Sequence, residues 1–341
     1  MQVHRGHSRR RCTAHLSLIW YIPVRIESIS KHIVSENRAK TIISFFRDYK
    51  RYSGGHQKFR DYLLHTVSLP SVHCMLYVQN RCAVMPHLFE NIENVEYQEQ
   101  YDPSVADVVF LAGMDWKHYL PHQAEHHRVI NLIQHVRHAD PDLELFGFLK
   151  QKALRICVSD AVRDAIAPYA NGECITIPMG HSIPTIVRDK ELELYILGRK
   201  NPDFANRMDN WAKEQGIKTK TDTGLVDRKS VFENFARSKV SLVLPHSTEG
   251  FFLPGIEAMA LSDVVVVPDC IANREYCLPE TNITRCDYTE TACQNAILDA
   301  QARLLSPAHA YRKFRGERLA RSYSLTAERD AYRDLLTKRL L

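Results

Sequence analysis

Two glutamates, Glu249 and Glu257, stand eight residues apart around an apolar turn in the stretch PHSTEGFFLPGIEAMAL. Pro254 fits the first turn of a helix, where its missing amide costs no hydrogen bond. The free amides of a helix start attract phosphate, and Gly250 allows close approach to the backbone. Carboxylates on both sides of a phosphate, with Glu257 in the first helical turn, would accept hydrogen bonds from hydroxyl groups. The spacing therefore indicates a sugar nucleotide.

A simpler interpretation uses the same residues. Acidic side chains are common at helix starts, where they complement the positive end of the helix dipole. Glu257 would then only stabilise the helix, and Glu249 would be an exposed loop acid. The strands and helices predicted around the motif are needed to decide between a ligand site and a simple helix start.

Glu249 follows the strand-like run KVSLVLP by a few residues. From Lys40 onwards, such runs alternate with helical patterns, which is typical of parallel sheets covered on both faces. Ligands in such sheets bind beyond the carboxyl ends of the strands. The runs form two series: TIISFF, VHCMLYVQ, VADVVFLAG, RVINLIQH, LRICVSD and CITIPMG, then LELYILG, KVSLVLP, DVVVVPD and NITRC.

The two series predict an α/β protein with two Rossmann-like domains facing each other across a cleft. The stretch IPMGHSIPTIVRDKE between them is rich in proline and reads as a linker. The expected organisation is an N-terminal extension, two domains and a C-terminal helix that crosses back to the first domain: residues 1–38, 39–183, 184–325 and 326–341.

The amino-acid composition limits the classes of ligand and the cellular compartment that fit this protein. The chain has 341 residues, 45% of them hydrophobic, and a formal net charge of +5, which suits an anionic ligand or an anionic membrane surface. The charge is too small to indicate nucleic acid, although the basic segment RGHSRRR keeps a nucleic-acid-binding protein as an alternative. Nine cysteines without close pairs indicate reduced thiols in a cytoplasmic protein and no zinc cluster. No run approaches the roughly 18 apolar residues of a membrane span.

The motif EGFFLPGIEAMAL resembles the E-x7-E signature of retaining GT-B glycosyltransferases of family 4. The segments ICVSDAVRDAI and IPMGHSI are similar to the family's serine-bearing strand and to its linker. The resemblance covers about residues 40–335. It implies a GT-B fold, a nucleotide-sugar donor linked to UDP or GDP, and a saccharide or lipid-linked acceptor. It also implies no cofactor and no metal, because cations and helix dipoles neutralise the leaving diphosphate.

The resemblance also implies roles for single residues. Glu257 would hold the ribose hydroxyls and Glu249 would contact the transferred sugar. The amides around Phe251 and Phe252 would meet the diphosphate or the sugar. His135 matches the family's histidine near the reacting carbon.

Other matches are less regular. Arg199 and Lys200 are adjacent, whereas the family's two phosphate-binding cations lie a few residues apart, so only one of them is expected to reach the phosphate. Gly54 and Gly55 match a glycine-rich loop at the donor phosphate. Asn273 takes a glycine position of the family, where it could adopt left-handed φ and offer an amide to sugar hydroxyls. His138, three residues after the matched histidine, is its rival.

These observations predict an enzyme of polysaccharide biosynthesis that transfers a sugar with retention of configuration. The predicted location is the cytoplasm, and the inner face of the membrane is the alternative. Peripheral membrane association fits its positive charge. The main alternative is a non-catalytic member of the same fold that binds sugar nucleotides. Fold alone does not decide between them, because function depends on the site.

Overall fold

The computed structural model describes residues 40–79 and 88–341. The predicted extension, residues 1–38, and the basic segment within it lie outside the described residues. Among the helices of the described residues, none is both long and apolar enough to cross a membrane.

The first sheet has seven parallel strands in the order β3-β2-β1-β4-β5-β6-β7. The run VVFLA of β4 is buried throughout, because helices and loops cover both faces of the sheet. The strands are β1 (Thr41–Asp48), β2 (Val72–Gln79), β3 (Val95–Tyr97), β4 (Val108–Ala112), β5 (Arg128–Ile133), β6 (Leu154–Cys157) and β7 (Cys174–Thr176).

Four helices follow strands of this sheet: α1 (Gly54–Val67), α2 (Trp116–Tyr119), α3 (Glu144–Gly147) and α4 (Asp160–Ile166). The cap of α4 is Ser159, whose hydroxyl accepts a hydrogen bond from Val162 N at 3.2 Å. Asp160 is not the cap but the first helical residue, because the serine one position earlier takes the extended conformation of a cap.

The second sheet has five parallel strands in the order β12-β11-β10-β8-β9. The fold prediction of two parallel sheets is therefore confirmed. The strands β3 and β9 were not predicted from the sequence, because both are short strands at sheet edges and neither is a buried apolar run. The strands are β8 (Leu192–Leu197), β9 (Thr219–Asp222), β10 (Ser238–Val243), β11 (Val264–Pro268) and β12 (Ile283–Cys286).

Six helices belong to this half and to the end of the chain: α5 (Pro202–Glu214), α6 (Arg228–Arg237), α7 (Leu253–Leu261), α8 (Glu290–Leu304), α9 (His309–Ser322) and α10 (Leu325–Arg339). The largest hydrophobic core joins β1, β2, α1 and α10 with β11 and α7, so it runs across both sheets. The stretch between β7 and β8 contains neither helix nor strand. The domain boundaries stay a prediction.

The last helix, α10, packs against α1 of the first half. Its Glu328 is buried and binds three groups there. One carboxylate oxygen lies 2.9 Å from Lys58 Nζ and 3.1 Å from His65 Nε2, and the other accepts from Gly180 N at 3.0 Å. The chain end is thus tied to the first half by a buried polar cluster.

Candidate functional site

The turn between β10 and α7 carries the two glutamates. α7 begins at Leu253, with Pro254 as its second residue, as the proline predicts. Glu257 is the fifth residue of α7 and lies in the second turn, so the expectation of a first-turn position is wrong. The helix starts at Leu253, one residue earlier than the proline alone indicates, which moves Glu257 into the second turn. Its side chain is buried there.

Gly250 lies where this turn meets the first half of the chain. A Cβ at this position would stand 2.1 Å from Gln134 O and 2.8 Å from Val162 Cγ2. Ser159 Oγ donates a hydrogen bond to Gly250 O at 2.7 Å. The sequence predicted that the missing side chain of Gly250 lets a ligand approach the backbone. In the structure, the missing side chain instead makes room for the chain segment that follows β5.

Glu249, His135 and Lys200 come together at this junction. His135 and Glu249 form an isolated antiparallel bridge, although 113 residues separate His135 from Thr248. The Lys200 ammonium lies 2.9 Å from Glu249 Oε1, as an ion pair without the alignment of a hydrogen bond. Glu249 is only 8% exposed, so it is not the loop acid of the simpler interpretation.

The tautomer of His135 follows from its contacts. Its Nδ1 lies 2.8 Å from the carbonyl oxygen of Thr248, which can only accept, so Nδ1 carries the proton and donates. Burial lowers the pKa of His135 below its usual range, partly offset by the Thr248 carbonyl and the charge of Glu249. The imidazole is therefore neutral at neutral pH, and Nε2 keeps a lone pair for a ligand hydroxyl.

The rival histidine, His138, has a different environment. It is buried, and burial lowers its pKa to about 3. No hydrogen bond joins its ring to a residue of the glutamate turn in the described part of the chain. Of the two histidines, His135 is the one that meets Glu249.

Glu257 has two neighbours that the sequence analysis did not single out. Arg228 Nη2 donates to Glu257 Oε1 at 2.7 Å, and His181 Nδ1 lies 3.5 Å from the same oxygen. Arg228 is the first residue of α6, and His181 lies in the linker motif IPMGHSI. The sequence could have marked a helix start through the cap residue Asp227. It could not have marked Arg228 as a site residue, because an arginine at a helix start follows no recognisable motif.

Arg199 and Lys200 follow β8 at its carboxyl end. Both are exposed, and of the two it is Lys200 that pairs with Glu249. One of the two cations therefore reaches the glutamate turn, where a negatively charged ligand group would meet it.

Gly54 and Gly55 are the first two residues of α1. A Cβ on Gly54 would meet nothing within 4 Å, and one on Gly55 would come no closer than 3.6 Å to the Gln134 side chain. Gln134 Nε2 donates to Gly55 O at 3.3 Å, which sets the start of α1 beside the residue that precedes His135. Packing does not require either glycine, so open space at the helix start is compatible with a ligand.

Phe251 and Phe252 explain the apolar character of the turn. Their side chains are almost fully buried, and the ring of Phe251 packs against Tyr323 with centroids 5.3 Å apart. Tyr276 donates from its hydroxyl to Phe252 O at 3.0 Å. The two aromatic rings anchor the turn in the core, and only their backbone is left for ligand contact.

Asn273 corrects an expectation. Its side chain is fully buried, where Nδ2 donates to Pro268 O at 2.7 Å and Oδ1 accepts from Cys270 N. Its φ is not positive either, since the non-glycine residues with positive φ in the described ranges are Asn91 and Asn94. Asn273 therefore holds its own loop together and has no surface to offer a sugar.

Glu275, in the same loop, reaches across to the first half. Its Oε1 accepts a hydrogen bond from Ala161 N at 2.8 Å, at the start of α4. Burial raises the pKa of Glu275, while this hydrogen bond opposes the rise. The helix start near Ser159 is thus already occupied by a protein carboxylate.

The described residues contain no group of three or more histidine, cysteine or acidic side chains placed to hold a metal ion. The positive charge around the two glutamates comes from Lys200, Arg228 and the start of α7, and each of the two side chains pairs with one of the glutamates.

No protein-family model matches the sequence, and no curated protein matches it. Solved structures do match the fold. Sucrose-phosphate synthase from Thermosynechococcus elongatus has a TM-score of 0.66 at 13% identity, covering 88% of this chain and 100% of that one. HepE from Anabaena, in complex with UDP, has a TM-score of 0.64 at 11% identity, with 87% and 100% covered. A glycosyltransferase from Rickettsia africae has a TM-score of 0.63 at 12% identity, with 88% and 98% covered. The chain therefore has the two-sheet GT-B fold of glycosyltransferases.

Proposed function

We propose that this protein is a retaining, metal-independent glycosyltransferase of family 4 that moves a sugar from a nucleoside diphosphate to a hydroxyl of a saccharide or lipid-linked acceptor. The observation that carries the proposal is the meeting of Glu249, His135 and Lys200. These residues follow strands of two different parallel sheets, at the carboxyl ends where such folds bind ligands.

Each of these groups has a chemical task. Lys200 and the start of α7 supply positive charge for the diphosphate that departs. Glu249 faces the transferred sugar, where its charge stabilises the positive character that develops in the transition state. His135 accepts a hydrogen bond from a sugar hydroxyl through Nε2, and Glu257 accepts hydrogen bonds from the ribose.

The reaction breaks the bond between the anomeric carbon and the diphosphate and forms a bond from that carbon to the acceptor oxygen. In the retaining course, the acceptor attacks from the face that the diphosphate leaves. The acceptor proton passes to a diphosphate oxygen, so no protein base is required. His135, which is neutral and whose Nδ1 is engaged by Thr248, acts by orientation.

Uridine is the first donor base to test. Two structures of similar fold are complexes of HepE with UDP and with UDP-glucose, and another is a UDP-forming trehalose-phosphate synthase. UDP and UDP-glucose are ligands of those proteins. Guanosine donors stay in the screen as well, because the contacts to the base depend on variable loops.

The decisive experiment is a thermal-shift screen of UDP- and GDP-sugars, followed by an assay of donor hydrolysis and of transfer. A ligand present at 100 times its dissociation constant should stabilise the fold by about 2.7 kcal/mol. Stabilisation with turnover supports the proposal. Stabilisation without any turnover across acceptors would favour the alternative of a non-catalytic binding protein, and no stabilisation by any donor would contradict both.

Activity is expected to survive chelation. Lys200 and the helix dipole supply the charge stabilisation that a divalent ion provides in other transferases. Transfer should therefore proceed at an unchanged rate in excess EDTA. Loss of activity that manganese restores would contradict metal independence.

Glu257→Ala is expected to raise KM for the donor roughly ten- to a hundredfold, with kcat little changed. Ribose contacts alter little during the reaction, so their loss is a loss of uniform binding. A hydrogen bond to a charged group contributes about 1.5–3 kcal/mol, which sets the range. Initial-rate kinetics with varied donor would measure it.

The matched control is Glu317→Ala on α9. Glu317 pairs with Arg321 one helical turn away, and its side chain is 41% exposed. Its loss should leave both parameters near wild type. An equal effect of the two substitutions would remove Glu257 from the donor site.

A further inference from the structure

His181 is a buried polar side chain without a hydrogen bond. Its side chain is 3% exposed, and neither Nδ1 nor Nε2 has a hydrogen-bond partner. Only its backbone is engaged, through N–H donation to Tyr323 O at 3.0 Å. Leaving a buried polar group unpaired costs about 1–3 kcal/mol, so such a group is expected to have a partner in another state of the protein.

The carboxylate of Glu257 lies beside the His181 ring, with 3.5 Å between His181 Nδ1 and Glu257 Oε1. That oxygen already accepts from Arg228, whose side chain is 45% exposed and stacks over the ring of Phe232 at 5.0 Å. Arg228 is thus the more exposed partner of this carboxylate, and His181 is the buried neighbour.

The charge of this pair of groups restricts the ligand. A buried carboxylate repels a phosphate, and a carboxylate can only accept hydrogen bonds. A neutral ligand group with hydroxyls fits both residues, because a hydroxyl donates to the carboxylate and its oxygen accepts from an imidazole N–H. Two adjacent hydroxyls would occupy Glu257 and His181 together.

We propose that His181 is a further donor-binding residue, which holds the vicinal hydroxyl pair of the nucleotide ribose together with Glu257. This proposal rests on the proposed function, since it takes the ligand to be a ribonucleoside diphosphate sugar. It adds a consequence of its own: the site selects ribose over 2′-deoxyribose. A site built to bond a hydroxyl rejects the analogue that lacks it, because its buried polar groups are left unpaired.

The test compares UDP with 2′-deoxy-UDP by isothermal titration calorimetry, or GDP with 2′-deoxy-GDP if the screen selects guanosine. The proteins are wild type, His181→Phe, which fills the space without a polar atom, and His181→Gln, which keeps a donor and an acceptor. The control is His309→Phe at the start of α9. Thermal unfolding of each variant establishes that it is folded.

Wild type should bind the ribonucleotide at least about tenfold more tightly than the deoxynucleotide. His181→Phe should lower this ratio about tenfold, which is the factor that a net hydrogen bond of ordinary strength supplies. His181→Gln should give an intermediate ratio, and it carries the test alone if the phenylalanine variant does not fold. His309→Phe should keep the wild-type ratio.

An unchanged ratio in the folded His181 variants would overturn this assignment, while nucleotide binding by wild type would leave the proposed function standing. Failure of wild type to bind any nucleotide of the screen would overturn both. The two failures are thus distinguishable from the same set of titrations.

Discussion

Glu249→Gln is expected to lower kcat roughly ten- to a hundredfold while KM for the donor stays near wild type. Glutamine keeps the size of the side chain but removes the charge that pairs with Lys200 at 2.9 Å. The sugar develops positive charge only in the transition state, so the loss appears in turnover and not in ground-state binding. A hydrogen bond to a charged group contributes about 1.5–3 kcal/mol, and each 1.36 kcal/mol of barrier is tenfold in rate.

The matched control is Glu193→Gln. Glu193 lies on β8, and its carboxylate accepts a hydrogen bond from Lys218 N at 2.7 Å, a bond that glutamine can keep. It stands near the amino end of the strand, whereas ligands bind beyond the carboxyl end. Near-wild-type kinetics are expected for it. If Glu249→Gln and Glu257→Ala also kept wild-type kinetics on a verified donor while folded, the motif would be only a helix start.

Glu328→Ala is expected to lower the free energy of unfolding by about 3 kcal/mol. The substitution removes a buried carboxylate from between Lys58 and His65, and it leaves the Lys58 ammonium in a site that is 2% exposed. Breaking a buried ion pair on one side typically costs 3–5 kcal/mol, because the remaining charge is uncompensated. The lower end applies here, since Asp61 still lies 3.0 Å from Lys58.

Urea unfolding followed by circular dichroism would measure the change, with Asp334→Ala as the control on the same helix. Asp334 pairs with Lys338 one turn away, and both side chains are at least 60% exposed. Such a pair contributes about 0.3–0.5 kcal/mol. A midpoint for Glu328→Ala equal to that of the control would show that α10 is not held by the buried cluster.

Much of the fold could be predicted because its signals are local. Runs such as VVFLA and VVVVP are buried on both faces, so each identifies a central parallel strand without knowledge of its neighbours. The edge strand β9, TKTD, has no such signal and was missed. Pro254 marked the helix start within one residue, since its ring restricts the backbone wherever it stands.

The glutamate motif could be predicted for the same reason. Strand, turn, glycine and helix follow one another within a short stretch, and each residue constrains the next. The environment of the motif was not predictable in this way. Gly250 was assigned to a ligand, whereas the chain at Gln134 passes so close that a side chain would collide with it. Nothing within the motif carries information about a segment more than a hundred residues away.

The amino-acid sequence alone specified an α/β chain with a candidate anion site. It did so through the alternation of apolar runs, the glycines and prolines at turns, and the acids of the motif. These features could be interpreted because hydrophobic periodicity and backbone restriction act between neighbours in the chain. The partners of those acids arose only on folding. Lys200, Arg228 and His181 belong to residue types that are common throughout this sequence, and Lys58 meets Glu328 across 270 residues. A charged side chain has the same appearance in the sequence whether it faces water or a buried carboxylate, so its role depends on which segments the packed sheets bring together.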